Sequence, residues 1–484
     1  MKNIHFTKYT DILKGRIILL LLLLPLLFTT NSCEKLLEVD SPPTSLLKSQ
    51  VYSDNSTAEA ALRGVYSTFM NPYYCTGFQI AWRTGLSADE LTFNYTDPSI
   101  NMFKENDLVA DNSYISQYWT YAYTTIYRAN DVIQGLNNST GISETAKSQF
   151  IGEALFIRSF LHFYLVNLFG DIPYVTSTDY IITSQMERAP VSSVYLQIES
   201  DLKEAIELLS SSYPTSGRYR VNKSVALSLL SRIYLYQEKW IDAESAASTV
   251  IGNSADYSLV PLSGITLPGN KEAIWQIYNF NNNSNTSEGE HFYGASSTMS
   301  TILSYFSLRD EFVGNGEFSG VFEMGDLRKT DWIRTNRKNF LMSYKYRSYS
   351  STATTNPDDS RKENSTVFRL AEQFLIRAEA RAQQDKLDLA ISDVDAIRER
   401  AGLPLIANTN PSIGKADLLD AIMHERRVEL FTEWGHRWFD LKRTGLALTV
   451  LSPIKSGLTQ NDLLYPIPQS ELIKNPFLEQ NLGY

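Results

Sequence analysis

The side chains in this sequence best suited to holding a ligand are aromatic rings set beside amides and a guanidinium. Trp82 precedes Arg83, Phe93-Asn94-Tyr95 forms a second group, and Phe292-Tyr293 follows closely on an asparagine run. A sugar ring has apolar C–H faces and a polar rim, so flat aromatic platforms edged by amides and charged groups match it. Taken singly, each group also suits ordinary packing; their placement in two irregular stretches singles them out. Trp119, Trp240, Trp434 and Trp438 fall on predicted helices and read as packing residues. Trp275 alternates with Ile274 and Ile277 in a predicted strand and fits either role.

Catalytic patterns are missing. His424-Glu425 begins a zinc-protease motif, but position 428 is Val where the second His is needed, and His436 lies past Gly435, off that helical face. Glu425, Arg426, Arg427, Glu429, Glu433 and Arg437 read instead as an ion-pair network beside the apolar stripe Ile422, Val428, Leu430 and Phe431. No phosphate loop, nucleophile elbow or Cys/His metal spacing occurs, so the expectation is no catalytic residue, no metal and no cofactor. The acidic stretch Asn356 to Ser360 lacks calcium-loop spacing. A glycosidase's carboxylate pair has no sequence spacing of its own and stays an alternative. A net charge of −10 without a basic patch argues against nucleic acid.

Cys33 marks the end of a leader. Lys2, Lys8, Lys14 and Arg16 precede an apolar run from Ile17 to Phe28, then small and polar residues, then the cysteine. The run is shorter than the roughly 20 residues a bilayer span needs. Residues 1–32 are therefore expected to be a signal peptide, with Cys33 lipidated and 33–50 a tether to a membrane. Residues 51–484 are expected to form one domain. Cys75, the one other cysteine, reads as a small buried hydrophobe.

The elements that must position the aromatic groups are mostly helices. Phe150, Ala154, Ile157, Leu161, Leu165 and Leu168 recur at steps of four and three, with Ser143 as N-cap and Gly170 and Pro173 as the stop. Val194, Ile198, Leu202, Ile206 and Leu209 repeat the pattern after Pro190, and further helices are predicted near 56–70, 113–137 and 415–434. Ala226–Ile251 and Phe374–Arg400 look like copies of one helix pair. At an offset of 147 residues Ala243 maps to Ala390 and Ala247 to Val394, small positions that allow close approach, as in tetratricopeptide-type repeats. The fold class is thus mainly α, a scaffold of helix pairs with a few short strands. Large loop-rich insertions at about 71–111 and 253–365 are where a rigid frame would carry a site.

Several segments resemble the signature of the SusD/RagB family. They are Phe156 to Val175, Phe374 to Ala380, Ile397 to Leu403, Glu425 to Leu430, Gly435 to Gly445, and the end of the chain from Pro466 to Tyr484. The resemblance runs in order from Cys33 to Tyr484. It implies a non-enzymatic lipoprotein on the outer surface of Bacteroidetes cells, built on four tetratricopeptide-like units. It further implies a lid on a SusC-type TonB-dependent outer-membrane transporter, capturing oligosaccharides or, in some members, peptides. Ser87-Ala88-Asp89-Glu90-Leu91, followed by Phe93 to Tyr95, is similar to a place where some members contact glycan. The signature itself is scaffold, so Trp82, Arg83, Phe93, Asn94, Tyr95, Phe292 and Tyr293 stand as ligand residues on their own chemistry. A transporter-gating protein with little ligand contact of its own is the rival reading.

Overall fold

The structure, a computed structural model, describes residues 48–71, 77–278, 286–293, 305–314, 320–335, 339–347 and 362–484. The leader, Cys33, Cys75, the asparagine run at 281–285 and the acidic stretch at 356–360 lie outside the described residues. The chain divides into a unit of residues 1–51, described only over the short helix Lys48–Val51, and a unit from Tyr52 to Tyr484.

The second unit is mainly helical. Its helices of eight or more described residues are α1 (Asn55–Phe69), α2 (Gly77–Ser87), α3 (Pro98–Glu105), α4 (Ser113–Asn137), α5 (Glu144–Phe169) and α6 (Val191–Leu208). Two helix pairs follow, α7 (Lys223–Tyr236) with α8 (Trp240–Gly252) and α9 (Leu370–Gln383) with α10 (Leu387–Arg400). Then come α11 (Lys415–Glu429) and α12 (His436–Arg443). Six strands, β1 (Leu91–Phe93), β2 (Ala273–Ile277), β3 (Phe306–Leu308), β4 (Ile333–Thr335), β5 (Leu341–Ser343) and β6 (Ser365–Arg369), pair antiparallel as β1–β3, β2–β6 and β4–β5.

α5 is the central helix. The Ser143 hydroxyl accepts from the Ala146 N–H, and Gly170 at φ +74° ends the helix, as the sequence pattern requires. Its buried charges are matched within the core: Glu153 accepts from Tyr66 and Arg220, and Arg158 makes a two-point ion pair with Asp201. The two helix pairs turn alike, through Glu238 at φ +57° and Asp385 at φ +61°. Ala243, Ala247, Ala390 and Val394 are fully buried, so small side chains do bring the paired helices together. Ala378, Ala382, Ala390, Val394, Leu418 and Ile422 continue one core from α9 through α10 to α11.

The helix predicted to reach residue 434 stops at Glu429. Thr432, Trp434 and Gly435 all take positive φ, +55°, +47° and +77°, which no helix accommodates. A Cβ on Gly435 would lie 2.7 Å from Thr84 Oγ1, so only glycine fits this close approach to α2. Trp434 accordingly sits in the turn and donates its indole N–H to the Thr366 carbonyl of β6 at 2.9 Å. The expected ion network is present, and distant segments complete it: Glu425 joins Arg328 and Arg398, Glu429 joins Arg328, Arg369 and Arg400, and Arg426 joins Asp440.

Candidate functional site

A three-residue sheet gathers the aromatic groups. Across it Leu91 faces Leu308, Thr92 faces Ser307 and Phe93 faces Phe306. The pairing extends at both ends, with the Arg309 N–H donating to the Glu90 carbonyl and the Asn94 N–H to the Tyr305 carbonyl. The Ser307 hydroxyl also donates to Asn94 Oδ1 at 2.9 Å. Short strands of this kind are weak by themselves. Here the packing beneath them supplies the stability.

Phe306 is the hub of that packing. Trp82 stacks on it at 5.5 Å and 21°, Phe93 lies 5.5 Å away, and Phe78 and Phe292 meet it edge-on at 6.1 and 6.2 Å. Trp82 and Arg83 are held from within α2. Gln79 Oε1 accepts from the Trp82 indole and from Arg83, whose guanidinium lies 4.6 Å over the Trp82 ring. Trp82, Arg83 and Phe292, expected as ligand residues, are buried in this layer. Tyr293 belongs to another group: it packs 4.6 Å from Tyr344, which also carries the Arg334 guanidinium over its ring.

Above this layer stand two open rings. Tyr95 and Tyr305 are 41% and 47% exposed, with centroids 5.3 Å apart and planes 40° from each other. Phe93 backs Tyr95 at 6.1 Å, and the half-buried His291 backs Tyr305 at 5.5 Å. His291 comes from a five-residue π-helix, Gly289–Tyr293, and packs 4.3 Å from Phe78. Tyr305, Phe306, His291 and Phe78 were not picked out from the sequence. A tetrapeptide Tyr305-Phe306-Ser307-Leu308 carries too little periodicity to declare a strand, and its partner lies some two hundred residues earlier in the chain.

Three buried groups brace the site. Asp89, just before β1, accepts from Arg437 at 2.8 and 2.9 Å and from Arg427 at 2.5 Å. Burial would raise its pKa, but the two guanidiniums hold it below the usual carboxylate range. Its neighbour Glu90 is pushed up to about 7, first by burial and then by the Asp89 charge. Lys455 donates to the carbonyls of Leu86 and Lys104, at the ends of α2 and α3, and burial draws its pKa down to about 7.

A family model described as "Starch-binding associating with outer membrane" matches residues 47–235, and the SusD family model matches residues 316–459. SusD-like protein P38 of Formosa agariphila is 27% identical over 503 residues, covering 94% of this chain and 96% of that protein. SusD-like protein P25 of the same organism is 26% identical, covering 95% and 98%. A solved "Laminarin binding SusD-like protein" superposes with a TM-score of 0.72 at 25% identity, over 90% of this chain and all of that one. A SusD superfamily protein from Parabacteroides distasonis shares the fold, with a TM-score of 0.74 at 23% identity over 89% of this chain and 99% of its own.

Proposed function

This chain belongs to the SusD/RagB family, and from that premise we propose that it binds oligosaccharides on the Tyr95–Tyr305 platform and passes them to a SusC-type TonB-dependent transporter. The observation that carries this reading is the pair of exposed, mutually tilted tyrosines on a fully packed aromatic base. A rigid base means that stacking a sugar ring costs little side-chain entropy. Tyrosine hydroxyls, the His291 ring and the Asn94 amide lie at or beside the rings and can order a sugar's hydroxyl groups.

Binding without turnover is the reading we favour. Asp89 and Glu90, the acidic residues just before β1, are buried, and Asp89 is committed to two arginines. A glycosidase instead needs a carboxyl pair flanking an open site. The laminarin-binding relative supports a glycan over a peptide ligand. Anchoring through a lipid on Cys33 would hold the protein at the outer membrane beside its transporter. Single-site affinity is expected between micromolar and millimolar, about −8 to −4 kcal/mol, weak enough for release. Many anchored copies restore capture by avidity.

Alanine at Tyr95 and at Tyr305 tests the platform. Each is expected to weaken glycan binding by about 1–3 kcal/mol, on the scale of a base stacked on an aromatic ring. Unchanged affinity in both variants would remove the platform from the account.

A further inference from the structure

A second place on the molecule has the composition of a sugar site and shares no residue with the platform. It is a groove of about 380 Å³ between the C-terminal half of α4 and the extended segment Thr176–Thr178. The amides of Asn130, Gln134, Asn137 and Asn138 and the hydroxyls of Thr176 and Thr178 line it, with Ile133 as the apolar contribution. No charged side chain is among its lining residues. Amides and hydroxyls each offer both a donor and an acceptor, which is the complement of a neutral polyhydroxylated ligand. An anion would call for a cation, and a hard metal for carboxylates, and the lining has neither.

The walls are fixed by internal hydrogen bonds. Asn130 donates to the Val175 carbonyl and accepts from Arg158, and the Thr178 hydroxyl donates to Gln134 Oε1 at 2.8 Å. The side chains of Asn137 and Asn138 make no hydrogen bond within the described residues and line the groove, available to a ligand. Two residues beyond Thr178, Tyr180 is 78% exposed. The turn that presents it is built rather than loose: Ser177 Oγ accepts from the Asp179 N–H, and the Asp179 carboxylate accepts from the Ile181 N–H at 2.9 Å. Core packing does not account for so open a ring held on so ordered a turn.

We infer that this groove, with Tyr180 two residues beyond its Thr178 wall, is a second binding site for neutral oligosaccharides, independent of the Tyr95–Tyr305 platform. Its volume lies in the range of small-ligand pockets and suits a short stretch of a glycan chain. Two weak sites on one body would raise retention of a chain long enough to reach both, and would leave release of short fragments fast.

The test is saturation-transfer NMR with a panel of neutral hexasaccharides (α-1,4-glucan, β-1,3-glucan, β-1,4-glucan, β-1,4-xylan and β-1,4-mannan) on the purified protein. The starting variant is Tyr95→Ala/Tyr305→Ala, which disables the platform. The expected result is residual millimolar binding of at least one hexasaccharide, weakened at least fivefold by adding Tyr180→Ala and, separately, by Asn137→Ala. Both added positions are exposed, so folding is not at stake, and each single variant in the otherwise unaltered protein should retain platform binding. No residual binding in the starting variant, or residual binding that neither substitution moves, overturns the second site. Binding of undiminished strength in the starting variant that Tyr180→Ala then abolishes would instead overturn the platform and keep the groove.

Discussion

Replacing Asp89 by Asn should loosen the candidate site from below and destabilise the fold by about 2–3 kcal/mol. Asp89 is 8% exposed and receives three hydrogen bonds from Arg437 and Arg427, which join α12 and α11 to the root of β1. Removing one partner of a buried pair costs about 3–5 kcal/mol. Two offsets reduce this: asparagine keeps one acceptor oxygen, and losing the Asp89 charge relieves the strained carboxyl of Glu90. Urea unfolding at pH 7 should show a lower midpoint at an unchanged slope. The pH dependence carries a second signature. The Asp89 pKa is depressed in the fold, so its contribution is present above the unfolded value near 4 and is lost as pH falls through the folded value. The gap between parent and variant should therefore close in acid. A midpoint shift worth less than about 0.5 kcal/mol at neutral pH, below the few kcal/mol a broken buried pair costs, would refute Asp89 as the brace.

Glu429→Gln should be more damaging, by about 3–5 kcal/mol, because a fully buried carboxylate between Arg328, Arg369 and Arg400 loses its charge; a loss under about 1 kcal/mol on urea unfolding would contradict this. His162 donates from Nδ1 to the Arg158 carbonyl and accepts the Val175 N–H at Nε2, and burial draws its pKa down to about 3. The unfolded chain therefore takes up this proton first, and stability should decline as pH falls from about 6.5 toward 3, by up to about 1.4 kcal/mol per pH unit. In His162→Gln that one-proton slope should vanish, and an unaltered slope between pH 5 and pH 6 would exclude His162 as its source.

The scaffold was legible because helical periodicity is written locally. Ser143, Gly170 and the stripe from Phe150 to Leu168 set the ends and the facing of α5 without reference to anything distant. The two matching helix pairs were legible for the same reason. The end of α11 was not, because Thr432 and Trp434 carry no turn signature and take positive φ under tertiary packing against α2 and β6. The site was half legible. Aromatics at 82, 93–95 and 292 do converge, but through Phe306, on a strand too short to announce itself. Composition also does not separate an open ring from a buried one. Trp82 and Phe292 are buried, whereas Tyr95 and the unforeseen Tyr305 are open.

Calorimetric titration of the purified protein and of its Tyr95→Ala/Tyr305→Ala variant, against the same hexasaccharides and a peptide digest, tests the central claim most directly. Saturable heat with one glycan class, the sugar recovered intact, and affinity reduced at least tenfold in the variant are expected. Equal affinity in the two proteins, or heat from the peptides and from no glycan, would contradict it.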